Sequence, residues 1–93
     1  MPLFFIKVTP DNERLEPSQE QILYWHGLLA SHQALSYGKV MDPKGQYWVA
    51  IVEVEDEAAV ETLVSNDPSK SWCHLEHYPI ESVHKSEPTE KPL

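Results

Sequence analysis

The chain has 93 residues, enough for one small domain and too few for two. Its formal net charge is −8 and its seven lysine and arginine residues do not cluster, which argues against nucleic acid as a partner because phosphate binding needs a positive surface. Hydrophobic residues make up 41% of the chain, as in a globular domain, and no apolar run approaches the ~20 residues of a membrane span.

Cysteine usage and the first residues bear on the compartment. Cys73 is the only cysteine of the sequence, so an intrachain disulfide and a four-thiolate metal site are excluded. The opening residues, MPLFFIKV, are too short and lack the positive leader of a secretory signal. We therefore expect a cytoplasmic protein.

An apolar strand and an amphipathic helix open the predicted fold. Residues 2–9, PLFFIKVT, are predicted as the first strand, and a polar connector follows over residues 10–17. Ser18 and Gln21 form an S-x-x-Q capping box, in which the hydroxyl and the amide satisfy backbone N–H groups at the start of a helix over residues 18–33. Spacing by three and four places these side chains along one face, with Tyr24 and Leu28 at its flank: Ile22, Trp25, His26 and Leu29.

The second half repeats this order after a hairpin. Residues 34–42 and 46–54 are predicted as strands joined by a turn at residues 42–45. Asp56 is predicted to cap a second helix, and Pro68 to end it. Its inner positions are Ala59, Val60, Leu63 and Val64, with Glu57 and Glu61 facing water. Residues 72–80 are predicted as the last strand, and Pro79 suggests that it lies at an edge.

The order β-α-β-β-α-β predicts a ferredoxin-like α+β fold over residues 1–83, with a four-stranded antiparallel sheet and two helices on one face. Side chains alternate along strands, and both faces of the first and third strands are apolar. Two helices cover one face, so we expect dimerisation through the open sheet face. Residues 84–93 have no apolar periodicity and are predicted to be a disordered tail.

Several kinds of chemical site find little support in the residues. The three glycines form no phosphate-binding loop, so no nucleotide cofactor is expected. Cys73 and His74 are neighbours on a strand and point to opposite faces, and the same holds for His74 and His77. A metal site formed by His26 with His74 or Glu76 stays open as a hypothesis.

Proton transfer is the chemistry that remains. A histidine titrates near neutral pH, and a carboxylate on its second ring nitrogen fixes the tautomer. His26 is the candidate acid or base and Asp67, in SNDPSK, the candidate orienting group. Each also has a structural interpretation: His26 as a hydrogen-bonded core residue and Asp67 as a helix-ending turn residue. The pattern alone does not decide between them.

His26 together with residues 34–68, ALSYGKVMDPKGQYWVAIVEVEDEAAVETLVSNDP, resembles the YciI-like (YCII-related) family over about residues 3–83. That family shows a helix histidine, a segment ending in Gly-Pro, a turn with Asp and Gly, an apolar strand, and a second helix closing on Asp-Pro. The resemblance implies a ferredoxin-like fold, a dimer of the dimeric α/β-barrel type, and a site pair that falls on His26 and Asp67.

The sequence departs from the family at two points. His32 stands where the family has glycine at the end of the first helix, and Gly38-Lys39 stands where it has Gly-Pro. A dehydrochlorinase of the family, and muconolactone isomerase as a more distant relative, imply lyase or isomerase chemistry on small aromatic-derived molecules. The role of His32 is unassigned.

The leading hypothesis is a small, cofactor-independent acid–base enzyme that uses His26 and Asp67 on a small organic substrate. Aromatic faces suit a flat ligand, and the candidate pocket walls are Trp25, Tyr37, Trp48 and Trp72, each of which also suits the core or a dimer interface. The alternatives are a non-catalytic small-molecule-binding or dimeric interaction module, and metal-dependent chemistry.

Overall fold

The computed structural model of the chain describes residues 1–11 and 18–81. Its elements, in chain order, are strand β1 (Leu3–Pro10), helix α1 (Gln19–Ala30), strand β2 (Ala34–Val40), strand β3 (Tyr47–Glu53), helix α2 (Glu57–Ser65), a 3₁₀ helix (Pro68–Ser71) and strand β4 (Cys73–Ile80). Most of the predicted connector over residues 10–17 and the whole predicted tail over residues 84–93 lie outside the described residues.

The four strands form one antiparallel sheet in the order β2-β3-β1-β4. Strands β1 and β3 are central and β4, which carries Pro79, lies at an edge. In the register of the sheet, Ile6 lies opposite Ala50 of β3 and His77 of β4. The element order and the strand order confirm the predicted ferredoxin-like α+β fold.

The core lies on the side of the sheet that faces the helices. Alternate residues of the central strands are buried there, namely Phe4, Ile6 and Val8 of β1 and Trp48, Ala50 and Val52 of β3. They form one cluster with Trp25 and Leu28 of α1 and Val60 and Leu63 of α2. The predicted alternation is therefore confirmed, because paired strands must share one apolar face to bury it.

The other side is the open sheet face, formed at its centre by Leu3, Phe5, Lys7, Tyr47, Val49 and Ile51. These side chains are only half-buried in the described part of the chain. Lys7 pairs with Val49, and its ammonium lies 4.4 Å from the centroid of the Tyr47 ring. The open sheet face is therefore mainly apolar and carries one cation near its centre.

Helix α1 begins at the predicted cap and ends three residues earlier than predicted. The Ser18 hydroxyl accepts a hydrogen bond from the backbone N–H of Gln21 at 3.2 Å. At the other end, His32 N–H donates to Leu29 O and Gln33 N–H to Leu28 O, the Schellman arrangement that closes a helix. His32 has a φ of 64°, in the left-handed region where glycine is favoured.

The buried face of α1 differs from the predicted one. Gln21, Trp25 and Leu28 are buried, whereas His26 is exposed. Trp25 and His26 are adjacent in sequence, so they point about 100° apart around the helix, and in the structure Trp25 faces the core while His26 faces outward. A count of apolar positions could not identify this face because Gln21 is polar.

The turn and the second helix follow the predicted chemistry. Asp42 accepts from Lys44 N–H on its side chain and from Gly45 N–H on its backbone, both at 2.9 Å. The Asp56 carboxylate caps α2 by accepting from Ala59 N–H at 2.9 Å. Helix α2 ends at Ser65, and Pro68 begins the 3₁₀ helix. Among residues 1–11 and 18–81, no helix is long and apolar enough to cross a membrane.

Candidate functional site

A buried carboxylate lies at the start of the 3₁₀ helix. Asp67 is 2% exposed, and its Oδ1 accepts from the backbone N–H of Ser69 at 2.8 Å and from the Ser69 hydroxyl at 2.7 Å. Its Oδ2 accepts from the indole Nε1–H of Trp25 at 2.9 Å. Asp67 therefore caps the 3₁₀ helix, as its turn interpretation requires, and also joins that helix to α1.

Trp25 connects three elements. Its side chain is fully buried, and its ring stacks on Tyr37 of β2 with centroids 4.9 Å apart and planes 5° from parallel. Tyr24 meets the same ring edge-on at 5.8 Å. Because the indole N–H also reaches Asp67, Trp25 fixes the positions of α1, β2 and the 3₁₀ helix relative to one another.

The Tyr37 hydroxyl is buried and has no hydrogen-bond partner in the described part of the chain. Burial raises the pKa of Tyr37 well above its ordinary value, and the negative charge of Asp67 and then Cys73 raise it further. Tyr37 therefore stays protonated at neutral pH and keeps an O–H donor close to a buried carboxylate.

Tyr24 differs from Tyr37 because its hydroxyl has a hydrogen-bond acceptor. Its hydroxyl donates to the backbone carbonyl of Leu63 at 2.6 Å. Burial, followed by the charge of Asp67, raises the pKa of Tyr24 to about 12. The two tyrosines thus feel the same carboxylate, but only Tyr24 has an acceptor for its hydroxyl.

Gln21 is the second buried polar side chain without partners. It is 0% exposed, and within the described residues neither its Oε1 nor its Nε2 has a hydrogen-bond partner. The predicted capping box is therefore only half formed: the Ser18 hydroxyl acts as predicted, but the Gln21 amide does not return to the backbone. Gln21 lies one turn before Trp25 on the buried face of α1.

We call these residues the polar cluster: Gln21, Trp25, Tyr37, Asp67 and Ser69. Buried polar groups are nearly always hydrogen-bonded, so it is unusual that Tyr37, stacked on Trp25, and Gln21, one turn before Trp25 on α1, both have buried polar atoms without a partner among residues 1–11 and 18–81. Two further buried polar atoms without a hydrogen bond in the described residues lie elsewhere: Oε1 of Gln46, just before β3, and Nδ1 of His77 in β4. The cluster combines a protonated hydroxyl, an amide and a carboxylate.

The structure does not bring His26 to Asp67. The His26 ring is exposed on α1 and has no hydrogen bond or ion pair with any residue of the described ranges, while the Asp67 donors are Trp25 and Ser69. Trp25 occupies the inward position beside the carboxylate. The pairing of His26 with Asp67 therefore stays a prediction, without a contact between the two residues in the described part of the chain.

The four predicted pocket aromatics divide into two groups. Trp25 and Tyr37 lie together in the polar cluster. Trp48 is 3% exposed in the core, and the Lys39 ammonium lies 5.7 Å from its ring centroid. Trp72 follows the 3₁₀ helix and packs half-buried against the core.

The sequence carries one weak signal for the burial of Gln21. Gln21 lies four positions before Trp25, so the two side chains share a helix face, and an inward tryptophan places the glutamine inward as well.

The C-terminal histidines lie on opposite faces of β4, as predicted. His74 pairs with Thr9 and is exposed, whereas His77 pairs with Ile6 and its Nδ1 lies 4.0 Å from the Glu57 carboxylate. Among residues 1–11 and 18–81, no three or more His, Cys, Asp or Glu side chains are grouped so that they could hold a metal ion. The hypothesis of a metal site formed by His26 with His74 or Glu76 therefore finds no group of ligands in this part of the chain.

A surface pocket of about 220 Å³ lies where β3 meets α2. Its lining includes the carboxylates of Glu53 and Glu55 together with Val54 and Ala59, but neither histidine nor cysteine. Its other lining residues are Met1 and Gln33, and none of the lining side chains has a buried polar atom that lacks a hydrogen bond in the described part of the chain. The polar cluster is therefore the better candidate site.

The chain matches no protein-family model and no curated protein. A proposal about its function must therefore start from the polar cluster and the open sheet face.

Proposed function

We propose that this protein binds a small organic molecule at the polar cluster. The observation that carries the proposal is the Tyr37 hydroxyl, which is buried and protonated, feels the charge of Asp67, and has no hydrogen-bond partner among residues 1–11 and 18–81, while its ring stacks on Trp25. Leaving such a group without a partner costs about 1–3 kcal/mol. A ligand with a carbonyl oxygen would accept from this hydroxyl and recover that cost.

The cluster also restricts the charge of the ligand. The Asp67 charge raises the pKa of both Tyr24 and Tyr37, so its field extends to both hydroxyls. An anionic ligand at Tyr37 would be repelled by the same carboxylate. The site therefore suits a neutral molecule.

The test is a titration with cyclohexanone, a neutral ring ketone, followed by NMR of the Trp25 indole N–H. Binding should shift this resonance, and Tyr37→Phe should weaken binding about tenfold because the donor is lost. Tyr78→Phe, at a half-exposed tyrosine whose hydroxyl donates to Glu76, is the matched control. Equal affinity in wild type and Tyr37→Phe would contradict the proposal.

The second candidate is the acid–base enzyme, of lyase or isomerase type, with His26 taking or giving a proton and Asp67 orienting it. A protonated tyrosine beside a buried carboxylate favours it, because this pair could polarise a carbonyl and hold charge during proton transfer. His26 and Asp67 are apart in the structure, so this candidate requires that ligand binding bring the ring inward.

Deuterium exchange tests this candidate directly. An acid–base enzyme should speed exchange of the α-protons of cyclohexanone in D₂O, and His26→Ala and Asp67→Asn should each remove the acceleration. Binding without faster exchange would leave a binding module. Exchange that survives His26→Ala would exclude this histidine as the acid or base.

We also propose a homodimer that packs two copies of the open sheet face together. Phe5, Val49 and Ile51 are only partly buried at the centre of this face, and packing them against a second copy would remove adjacent apolar side chains from water. A two-fold pairing would place the same residues against each other.

Membership of the YciI-like family is part of the same proposal. Three features support it: Asp67 followed by Pro68 after α2, the turn at Asp42 and Gly45, and a left-handed residue, His32, at the family's glycine position.

We further propose a cytoplasmic location. The single cysteine, Cys73, is buried, and a lone thiol suits a reducing compartment.

A further inference from the structure

We infer that the two copies of the proposed homodimer meet through β1 and β4, with the two-fold axis parallel to these strands and above the space between them, so that Lys7 of each copy pairs with Glu76 of the other. This inference rests on the proposed homodimer and specifies how its two copies meet. It uses the charges on the open sheet face, whereas the proposed homodimer uses only the apolar side chains.

Strand β4 adds a second row of side chains to the open sheet face. Residues directly opposite each other in an antiparallel pair point to the same side of the sheet. The register pairs Leu3 with Ile80, Phe5 with Tyr78, Lys7 with Glu76 and Thr9 with His74. The Tyr78 hydroxyl donates to Oε1 of Glu76 at 2.8 Å, as expected for two residues on one side of a strand.

A two-fold axis between β1 and β4, parallel to both, exchanges the two strands. Strand β1 of one copy then lies over β4 of the other at the same level, so each side chain meets its own register partner from the second copy. Every meeting is chemically matched: an apolar pair, an aromatic pair, an ion pair, and a hydroxyl with an imidazole. Tyr78, which is 50% exposed in the single chain, gains an aromatic neighbour in this way.

Axes parallel to the central strands at other places leave charges unmatched. Between β1 and β3, the same operation would place Lys7 against Val49 and Leu3 against Glu53. Directly above β1, it would place Lys7 against Lys7 of the second copy. A charge that is buried against an apolar side chain or a like charge costs free energy, so charge complementarity selects the space between β1 and β4.

Lys7 and Glu76 can both form the proposed ion pair. The Lys7 ammonium lies over the Tyr47 ring and has no ion pair among residues 1–11 and 18–81. Glu76 is half-buried, and its hydrogen bond with Tyr78 uses only Oε1. Its Oε2 therefore remains available to an ammonium group.

The experiment exchanges the two charges between copies. Lys7→Glu alone, or Glu76→Lys alone, places like charges against each other in the interface, and we expect each homodimer to be at least tenfold weaker in sedimentation equilibrium. In a mixture of the two variants the pairs between copies have opposite charges again, whereas each chain keeps two like charges within itself. We therefore expect a heterodimer at least tenfold tighter than either homodimer.

The matched control changes the same charges away from the sheet. Lys70→Glu and Glu20→Lys, at exposed positions of the 3₁₀ helix and α1, should leave the homodimers unchanged and give no preference for the heterodimer in a mixture. A preference of the same size in this control would show an effect of net charge and overturn the inference.

Cross-linking of the wild type gives a readout that no substitution can disturb. A carbodiimide joins an ammonium to a carboxylate only where the two are in contact, so a mixture of isotope-labelled and unlabelled protein should yield a Lys7–Glu76 link between one labelled and one unlabelled chain. A link only within single chains, or variants that dimerise as tightly as the wild type, would overturn the inference and leave the homodimer standing. A wild-type monomer would refute both.

Discussion

The indole N–H of Trp25 and the carboxylate of Asp67 form a buried hydrogen bond of 2.9 Å between α1 and the 3₁₀ helix. The two residues are 42 positions apart in sequence. Trp25 lies in α1, in the first half of the chain, and Asp67 caps the 3₁₀ helix, in the second half. The Ser69 hydroxyl and N–H complete the environment of the carboxylate. A buried charge is tolerated only when it is compensated in this way.

Removal of this donor should destabilise the protein. Trp25→Phe keeps an aromatic ring but leaves Oδ2 of Asp67 without a donor, and we expect the double-mutant cycle with Asp67→Asn to give a coupling free energy of about 1.5–3 kcal/mol. Urea unfolding measures it. The cycle of Tyr78→Phe with Glu76→Gln, across an exposed hydrogen bond, should give less than about 0.5 kcal/mol. Similar values for both cycles would contradict the assigned role of Asp67.

The left-handed position at the end of α1 should favour glycine. His32 has a φ of 64°, which costs a residue with a Cβ about 1 kcal/mol. We therefore expect His32→Gly to stabilise the fold by about 0.5–1 kcal/mol in urea unfolding. Ala30→Gly, inside the last turn of the same helix, should destabilise by about 1 kcal/mol. A loss of stability in His32→Gly would indicate that the imidazole makes a contribution of its own.

Alkaline pH should destabilise the protein through its buried tyrosines. The folded-state pKa of Tyr24 is about 12, above the unfolded value of ~10, so the stabilisation is complete below pH 10 and is lost as the pH rises from 10 through 12. The Tm should fall across this window, and Tyr24→Phe should flatten the fall. Absorbance at 295 nm, which reports tyrosinate, should show the delayed titration, and Tyr24 titrating near pH 10 would disprove it.

The proposed dimer should depend on the open sheet face. Ile51→Glu places a charge beside Phe5 at the centre of this face, and we expect at least a tenfold weaker dimer because the carboxylate must be desolvated on association. Sedimentation equilibrium at micromolar concentrations measures it. Leu23→Glu, at a position of α1 that is 62% exposed, should leave the dimer unchanged. A wild-type monomer would refute the proposed assembly.

The fold was predictable because its signals are local. The alternation in residues 3–8 and 47–52, the caps at Ser18 and Asp56, and the turn after Asp42 each specify an element through nearby residues. The order of these elements then leaves few right-handed topologies. Element boundaries were less predictable, since α1 ends in a Schellman turn at His32, a residue that rarely adopts this conformation.

The candidate site was only partly predictable. Asp67, Trp25 and Tyr37 stand out as a carboxylate after a helix and as aromatic side chains, and the structure brings them together. The spacing places His26 with Trp25 on the inward face of α1, whereas the structure buries Gln21 with Trp25 and leaves His26 exposed, because the packing of Trp25 decides which neighbours point inward. The spacing of apolar residues along a helix does not predict that a polar residue such as Gln21 is buried.

The pairing of Leu3 with Ile80 has a consequence for how the chain folds. Strand β1 occupies the middle of the sheet, between β3 and β4, so β1 leaves the ribosome well before β4, and one of its edges stays without hydrogen bonds until β4 is made. Such non-local pairing slows folding, because the chain loses the entropy of closing a long loop before the stabilising contacts between the strands form. Until β4 arrives, the nascent chain exposes an apolar strand edge that invites pairing with other chains.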